Sequence, residues 1–126
     1  MLTAEQIQEA RSQTVYSRPD DGPSDCDDCV RIAHEWLDAQ RRIKSPNTRK
    51  WSLSHLITDW SGMHVSKPDV EVAAQLHGLI GQYPHYNIET RWVEPSLRRL
   101  DGITSANSQP NYRKNHKRSD YSSSEP

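Results

Sequence analysis

Between Trp51 and Leu100 the chain reads as helix, short link, helix and strand, and this order limits the fold more than any other feature. Ser52 stands where a side chain can cap the first helix, in which Leu53, Leu56, Ile57 and Trp60 recur at i, i+3, i+4 and i+7. Gly62 is placed to end it in the left-handed conformation that glycine tolerates best. The link, Met63 to Val65, leads to a second cap, Ser66, with Pro68 in the first turn, where a missing N–H costs nothing. Val70, Ala73, Ala74, Leu76, His77, Leu79 and Ile80 make the second helix broadly apolar, so it should be central to the core. After Pro84, Tyr86, Ile88, Thr90 and Trp92 alternate with polar residues at the period of a strand. One strand cannot stand alone, so it must pair with another segment or lie flat against the helices. Ser96 to Leu100 adds a helical turn with Leu97 and Leu100 inward.

Upstream, Thr3 and Gln6 have the form of a capping box and Leu2 can staple onto Ile7, which predicts a helix to about Gln13. Its apolar face is thin, so it docks on another element or frays. Ser17 to Ser24, with Pro19, Gly22 and Pro23, reads as a loop. From Asp25 to about Lys44, Cys29, Ile32, Ala33, Trp36, Leu37 and Ile43 share one helical face, with acids in the first turn and bases in the last, as the helix dipole favours. Pro46 and Asn47 end that helix. Beyond Gly102 the chain turns to Ser, Asn, Pro, Lys and Arg, the composition of a disordered tail. Only 33% of the residues are apolar and Phe is absent, so the core must be small. The expected fold is mainly α: an N-terminal helix and acidic loop over 1–24, a small helical domain over 25–102 with a short β segment, and a disordered polar, basic tail over 103–126.

Residues 53–77, with their apolar first helix, Gly at the turn, Ser cap and second helix, resemble the helix-turn-helix and winged-helix DNA-binding proteins. The resemblance implies that the second helix enters the major groove of double-stranded DNA and meets base edges near its N-terminus. Ser66, Lys67 and Gln75 are then the first candidates, beside Asp69 and Glu71, and the strand becomes a wing carrying Arg91. The second helix holds Lys67 as its one base, so phosphate neutralisation must come from its flanks: Arg41, Arg42, Lys44, Arg49 and Lys50 before it, Arg98 and Arg99 after it, and Arg113, Lys114, Lys117 and Arg118 in the tail. The function implied is that of a small non-enzymatic DNA-binding protein, a transcriptional regulator of the compact bacterial, phage or plasmid kind, in which a homodimer would read two half-sites. The plainer alternative is a helical hairpin that only builds the core.

A second class of function fits the charge pattern. The net charge of -1 hides a run of Asp20, Asp21, Asp25, Asp27 and Asp28 ahead of the acid-free segment from Arg41 to Lys50. The acids, with Tyr83 and Tyr86, suit a protein-binding module or inhibitor directed at a larger nucleic-acid-handling partner, while a solvated loop and a cover for the core are the simpler roles. Cys26 and Cys29, followed by His34, begin like a zinc knuckle whose fourth ligand position holds Ala39, so neither a metal nor a cofactor is expected. Asp25, Asp27 and Asp28 should oppose a thiolate, and two thiols this close make a poor staple, so reduced cysteines in a cytoplasmic setting are expected. His55 and Asp59 form a lone i, i+4 pair with no nucleophile nearby, and His77 lies on the core side of its helix, so no enzyme is expected. No stretch approaches the ~18 apolar residues of a membrane span.

Overall fold

The computed structural model describes residues 1–18, 20 and 22–126. Pro19 and Asp21, expected in the loop and the acidic run, lie outside the described residues. The fold is mainly helical, with α1 (Ala4–Gln13), α2 (Asp27–Asp38), α3 (Leu53–Ser61) and α4 (Lys67–His77). The Thr3–Gln6 capping box forms on α1 and Ser66 caps α4 as expected, the latter completed to a box by Asp69; Gly62 ends α3 as expected and Gly78 ends α4, both in the left-handed region.

α4 lies at the centre, against α1, α2 and α3. Every residue from Pro68 to Ala74 is buried, and Val70, Val72 and Ala73 are fully so. Burying a valine side chain contributes about 1.5–3 kcal/mol, so α4 organises the core as its composition foretold. That burial leaves only the two ends of α4 open for the recognition role that the resemblance implies. Gln75 is exposed and Lys67, Leu76 and His77 are partly so, while the Ser66 hydroxyl accepts from the Asp69 amide.

The acids of α4 also find an internal role. Asp69 Oδ1 accepts from Ser24 Oγ at 2.8 Å, and Glu71 Oε2 accepts from the Ser17 amide at 2.8 Å. They hold the segment after α1 against α4, and α1 docks through the buried Ile7 and Ala10. Asp27 pairs with Arg11 and Asp28 with Arg31, each at 2.7 Å, so these two acids of the run are engaged within the fold, while Asp20 and Asp25 are exposed.

α2 stops at Asp38, short of the expected Lys44, because Gln40 turns inward. Its amide group donates to Trp36 O and Val93 O while its Oε1 accepts from the Val93 amide. Such a buried side chain replaces a strand partner, and the chain leaves the helix to run beside residues 86–89, with a bridge from Arg42 to Ile88. Arg41, Arg42 and Lys44 therefore follow α2 rather than completing its last turn. Ile43, Ile80 and Leu97, expected inward, are 40%, 58% and 51% exposed.

The alternating segment buries Tyr86, Ile88 and Trp92, but it divides between two short ladders instead of forming a wing. β1 (Gly81–Gln82) pairs antiparallel with β2 (His85–Tyr86), and β3 (Val93–Glu94) pairs parallel with β4 (Ser123–Ser124). β4 belongs to the expected disordered tail, which is folded. Ile103 and Tyr121 enter the core, and polar anchors do the rest: Trp36 Nε1 donates to Tyr121 Oη at 3.1 Å, Gln109 N to Gly62 O at 2.7 Å, and Arg113 to Trp60 O.

Arg99 ties the tail to α2 through Glu125 at 2.6 Å, Asp38 at 2.9 Å and Glu35 at 3.1 Å. Its hydrogen bonds hold the Asp38 and Glu125 carboxyls below their ordinary range. At Asp28 and Glu94 burial works the other way, but bonds from Ser105 and Arg31, and from His116 and Ser124, outweigh it. A folded-state pKa below the unfolded value gives stability that is present above the unfolded pKa and lost as pH falls through the folded one. Burial likewise keeps His34 neutral below its ordinary 6.5, which adds the same sign. Asp59, raised by burial, acts in the opposite sense but alone among these carboxyls. Urea midpoints should therefore hold near neutrality and drop between about pH 6 and 3, an acid-side loss that Arg99→Met should reduce.

Candidate functional site: a cationic and aromatic cleft

A cleft of about 440 Å³ opens between the N-terminus of α3 and the β1–β2 turn, lined by Ser17, Arg18, Lys50, Trp51, Ser52, Lys67, Tyr83, Pro84 and His85. Among the described residues three cations and no acid line it. The local folding that assembles it is specific. Asn47 holds the basic segment to the hairpin, its amide and side chain both donating to Tyr86 O at 3.0 Å, which brings Lys50 and Trp51 alongside Tyr83. The Glu71 clamp on the Ser17 amide brings Arg18 in from the other side.

Ser52 occupies the N-cap of α3, yet its hydroxyl makes no capping bond. Tyr83 takes over, its Oη accepting from the Ser54 amide at 3.0 Å. One end of the cleft is thus a helix N-terminus, where the backbone dipole favours an anion, and Lys50 and Lys67 stand beside it. Trp51 is half-buried and meets Trp92 nearly at a right angle, with ring centroids 6.0 Å apart. Tyr83 meets Tyr86 in a similar way at 6.5 Å. Both rings are braced from behind and reach the cleft. His85 Nδ1, also at this wall, is buried with no hydrogen-bond partner among the described residues.

No protein-family model, curated protein or solved structure matches this chain.

Of the basic residues singled out in the sequence, the structure brings Lys50 and Lys67 to the cleft, with Arg49 exposed next to it. Lys44 is exposed in the same basic segment. Among the described residues none of these four has an acidic partner within ion-pair distance. Others are committed to the fold. Arg42 bonds His77, Arg91 pairs with Glu89 at 2.8 Å, Arg41 lies 4.0 Å from the same carboxylate, and Arg99 holds three acids. Arg98 is exposed but lies outside the cleft, and Gln75 is exposed on α4 away from it. In the tail, Arg113 bonds Trp60 O and Arg118 lies 3.5 Å from Glu94.

Sequence reasoning missed Arg18, Trp51 and His85 as site residues, and it weighed Tyr83 only as a protein-facing ring. Their convergence depends on the Glu71 clamp and the Asn47 latch, neither of which has a local signature. A second correction concerns the cysteines. Cys26 and Cys29 are joined by a disulfide, so they are not the reduced pair expected. His55 is exposed, and His77 pairs with Asp38 at 2.8 Å beside His34.

Proposed function

We propose that this protein binds nucleic acid, and that the cleft receives a single-stranded segment. The observation that carries this is the lining itself: Arg18, Lys50 and Lys67 with no acid among the described residues, against Trp51, Tyr83 and His85. Cations neutralise phosphates regardless of sequence, and each base stacked on an aromatic ring contributes about 1–3 kcal/mol. The volume lies within the ~300–1,000 Å³ usual for small-molecule sites, in the range a nucleotide needs. The N-terminus of α3 adds a backbone donor end for a phosphate, and exposed Arg49 and Lys44 extend the positive surface along the strand's path.

Single strands suit this geometry better than groove reading, because bases must be splayed to reach the rings and the middle of α4, from Pro68 to Ala74, is buried. A regulatory role on DNA remains compatible with that binding mode. So does RNA.

The test is fluorescence anisotropy with matched single- and double-stranded oligonucleotides over a salt series. Three phosphate contacts predict a slope of log K against log salt of about −2 for the single strand. Lys50→Ala and Lys67→Ala should each flatten that slope by about 0.7, whereas Trp51→Phe should weaken binding with the slope unchanged. Absence of binding at low salt would sink the proposal and leave a protein-binding module as the better reading. Tighter binding to duplex than to single strand would remove the cleft from it.

A further inference from the structure

We propose that Cys26 and Cys29 form a redox-active pair that exchanges with low-molecular-weight monothiols and their disulfides. The two sulfurs are bonded to each other at the N-terminus of α2, and the environment gives them different roles. Cys26 is the N-cap residue and only partly buried, whereas its partner is fully so, and the Cys26 Sγ accepts from the Cys29 amide at 3.2 Å. An acceptor position at a helix N-terminus favours the anionic form of a sulfur. Cys29 is only 2% exposed, and its Sγ lies 3.3 Å from the carbonyl oxygen of His64. A carbonyl offers nothing to a thiolate but accepts from a thiol. In the reduced protein Cys26 is therefore the thiolate and Cys29 the thiol, an attacking and a resolving sulfur.

The acids between the cysteines no longer argue against this. Arg11 holds Asp27 and Arg31 holds Asp28, each at 2.7 Å, and the Ser105 amide donates to the second carboxylate of the two at 3.0 Å. Asp25 is exposed to water, where its field is screened. A purely structural role explains the bond less well, since a bridge across two intervening residues closes a very short loop and restrains the unfolded chain little.

The exchange balances without any further reagent. A monothiolate attacks Cys26 Sγ, the Cys26–Cys29 bond breaks, and the electron pair leaves on Cys29 Sγ, which takes a proton from solvent and, as a thiol, hydrogen-bonds to the His64 carbonyl. A second monothiolate attacks the external sulfur of the mixed disulfide and releases the Cys26 thiolate. Two monothiols are oxidised to one disulfide, and the protein bond is reduced by two electrons. The reverse course reduces a small disulfide, with Cys29 resolving the adduct on Cys26.

The full chain, equilibrated with glutathione and glutathione disulfide mixtures in native buffer, then acid-quenched, alkylated and weighed by mass spectrometry, tests this. A reversible oxidised-to-reduced transition with an unchanged near-ultraviolet spectrum is expected. Substoichiometric iodoacetamide on the reduced wild type should label Cys26 before Cys29, with a rate midpoint below the ~8.5 of an ordinary thiol. Cys29→Ser should trap a glutathione adduct on Cys26, and Cys26→Ser should trap little. A bond that opens only in denaturant, equal labelling of both sulfurs, or a rate midpoint at or above the ordinary thiol value would overturn the proposal. None of these readouts involves the cleft.

Discussion

A chain ended at Gly102 should fail to fold cooperatively. The deleted residues supply Ile103 and Tyr121 to the core and the partner strand of β3. They also finish the surroundings of three tryptophans. Trp36 loses the Tyr121 hydroxyl, Trp60 O loses Arg113, and Trp92 O loses the Ser122 amide at 2.9 Å. The α3 terminus loses Asn107 N to Ser61 O and Gln109 N to Gly62 O, at 2.8 and 2.7 Å. Burial of two large side chains and several core hydrogen bonds together rivals the ~5–15 kcal/mol by which domains are stable. Thermal melts followed by circular dichroism should show a broad, non-cooperative loss, with tryptophan emission shifted to the red. Smaller steps locate the effect. Tyr121→Phe leaves the Trp36 N–H unsatisfied and should cost about 1–3 kcal/mol, while Tyr121→Ala adds a cavity and should cost about 3–5 kcal/mol by urea denaturation. A truncated chain with the full-length midpoint would mean that the tail lies on the fold without supporting it.

The tail shows where composition misleads. Its residues are polar, and counting aliphatic side chains gives no sign of order. Order comes instead from single anchors at long separation, a tyrosine hydroxyl under a tryptophan and a glutamate on Arg99, and these have no periodicity to detect. The helices are the reverse case. Ser66 and Pro68 announce the start of α4 locally, and its place in the core follows from Val70, Ala73 and Ala74, so both were legible, whereas the burial of Asp69 and Glu71 was not. The end of α2 was not, because it depends on Gln40 meeting Val93 across 53 positions. That distance also explains the alternating strand, whose buried positions were foreseen and whose partners were not.

The cleft follows the same division. Lys50 and Lys67 stood out as cations, but nothing local distinguishes them from Arg99, which the fold consumes in ion pairs. Asp69 and Glu71 argued against phosphate binding at α4 when only the sequence was considered. Buried, they bond Ser24 and Ser17 instead, and the Glu71 bond to Ser17 sets the position of Arg18. The cysteines turn on a similar point, since the nearby acids are neutralised by Arg11 and Arg31 from positions that no motif includes.

Gly81→Ala should damage both the fold and nucleic-acid binding without altering any charge. Gly81 has φ +114°, outside the range that L side chains accept, and a Cβ there would lie 2.1 Å from the carbonyl oxygen of His85. The oxygen belongs to the facing strand of the hairpin, so it cannot step aside as a flexible side chain would. Backbone strain of this kind costs about 1–3 kcal/mol, and separating β1 from β2 to relieve the clash moves Tyr83 and His85 away from Lys50 and Trp51. Freed from the Ser54 amide, Tyr83 would no longer cap α3. The control is Gly78→Ala, at φ +71° with open space around the added methyl group, which should cost about 1 kcal/mol and leave the cleft intact. Oligonucleotide affinity at fixed salt should thus fall for Gly81→Ala and hold for Gly78→Ala, with the folded fraction of each checked by circular dichroism. Equal binding by the two folded variants would show that the hairpin wall takes no part in recognition, and the cationic segment would have to bind alone.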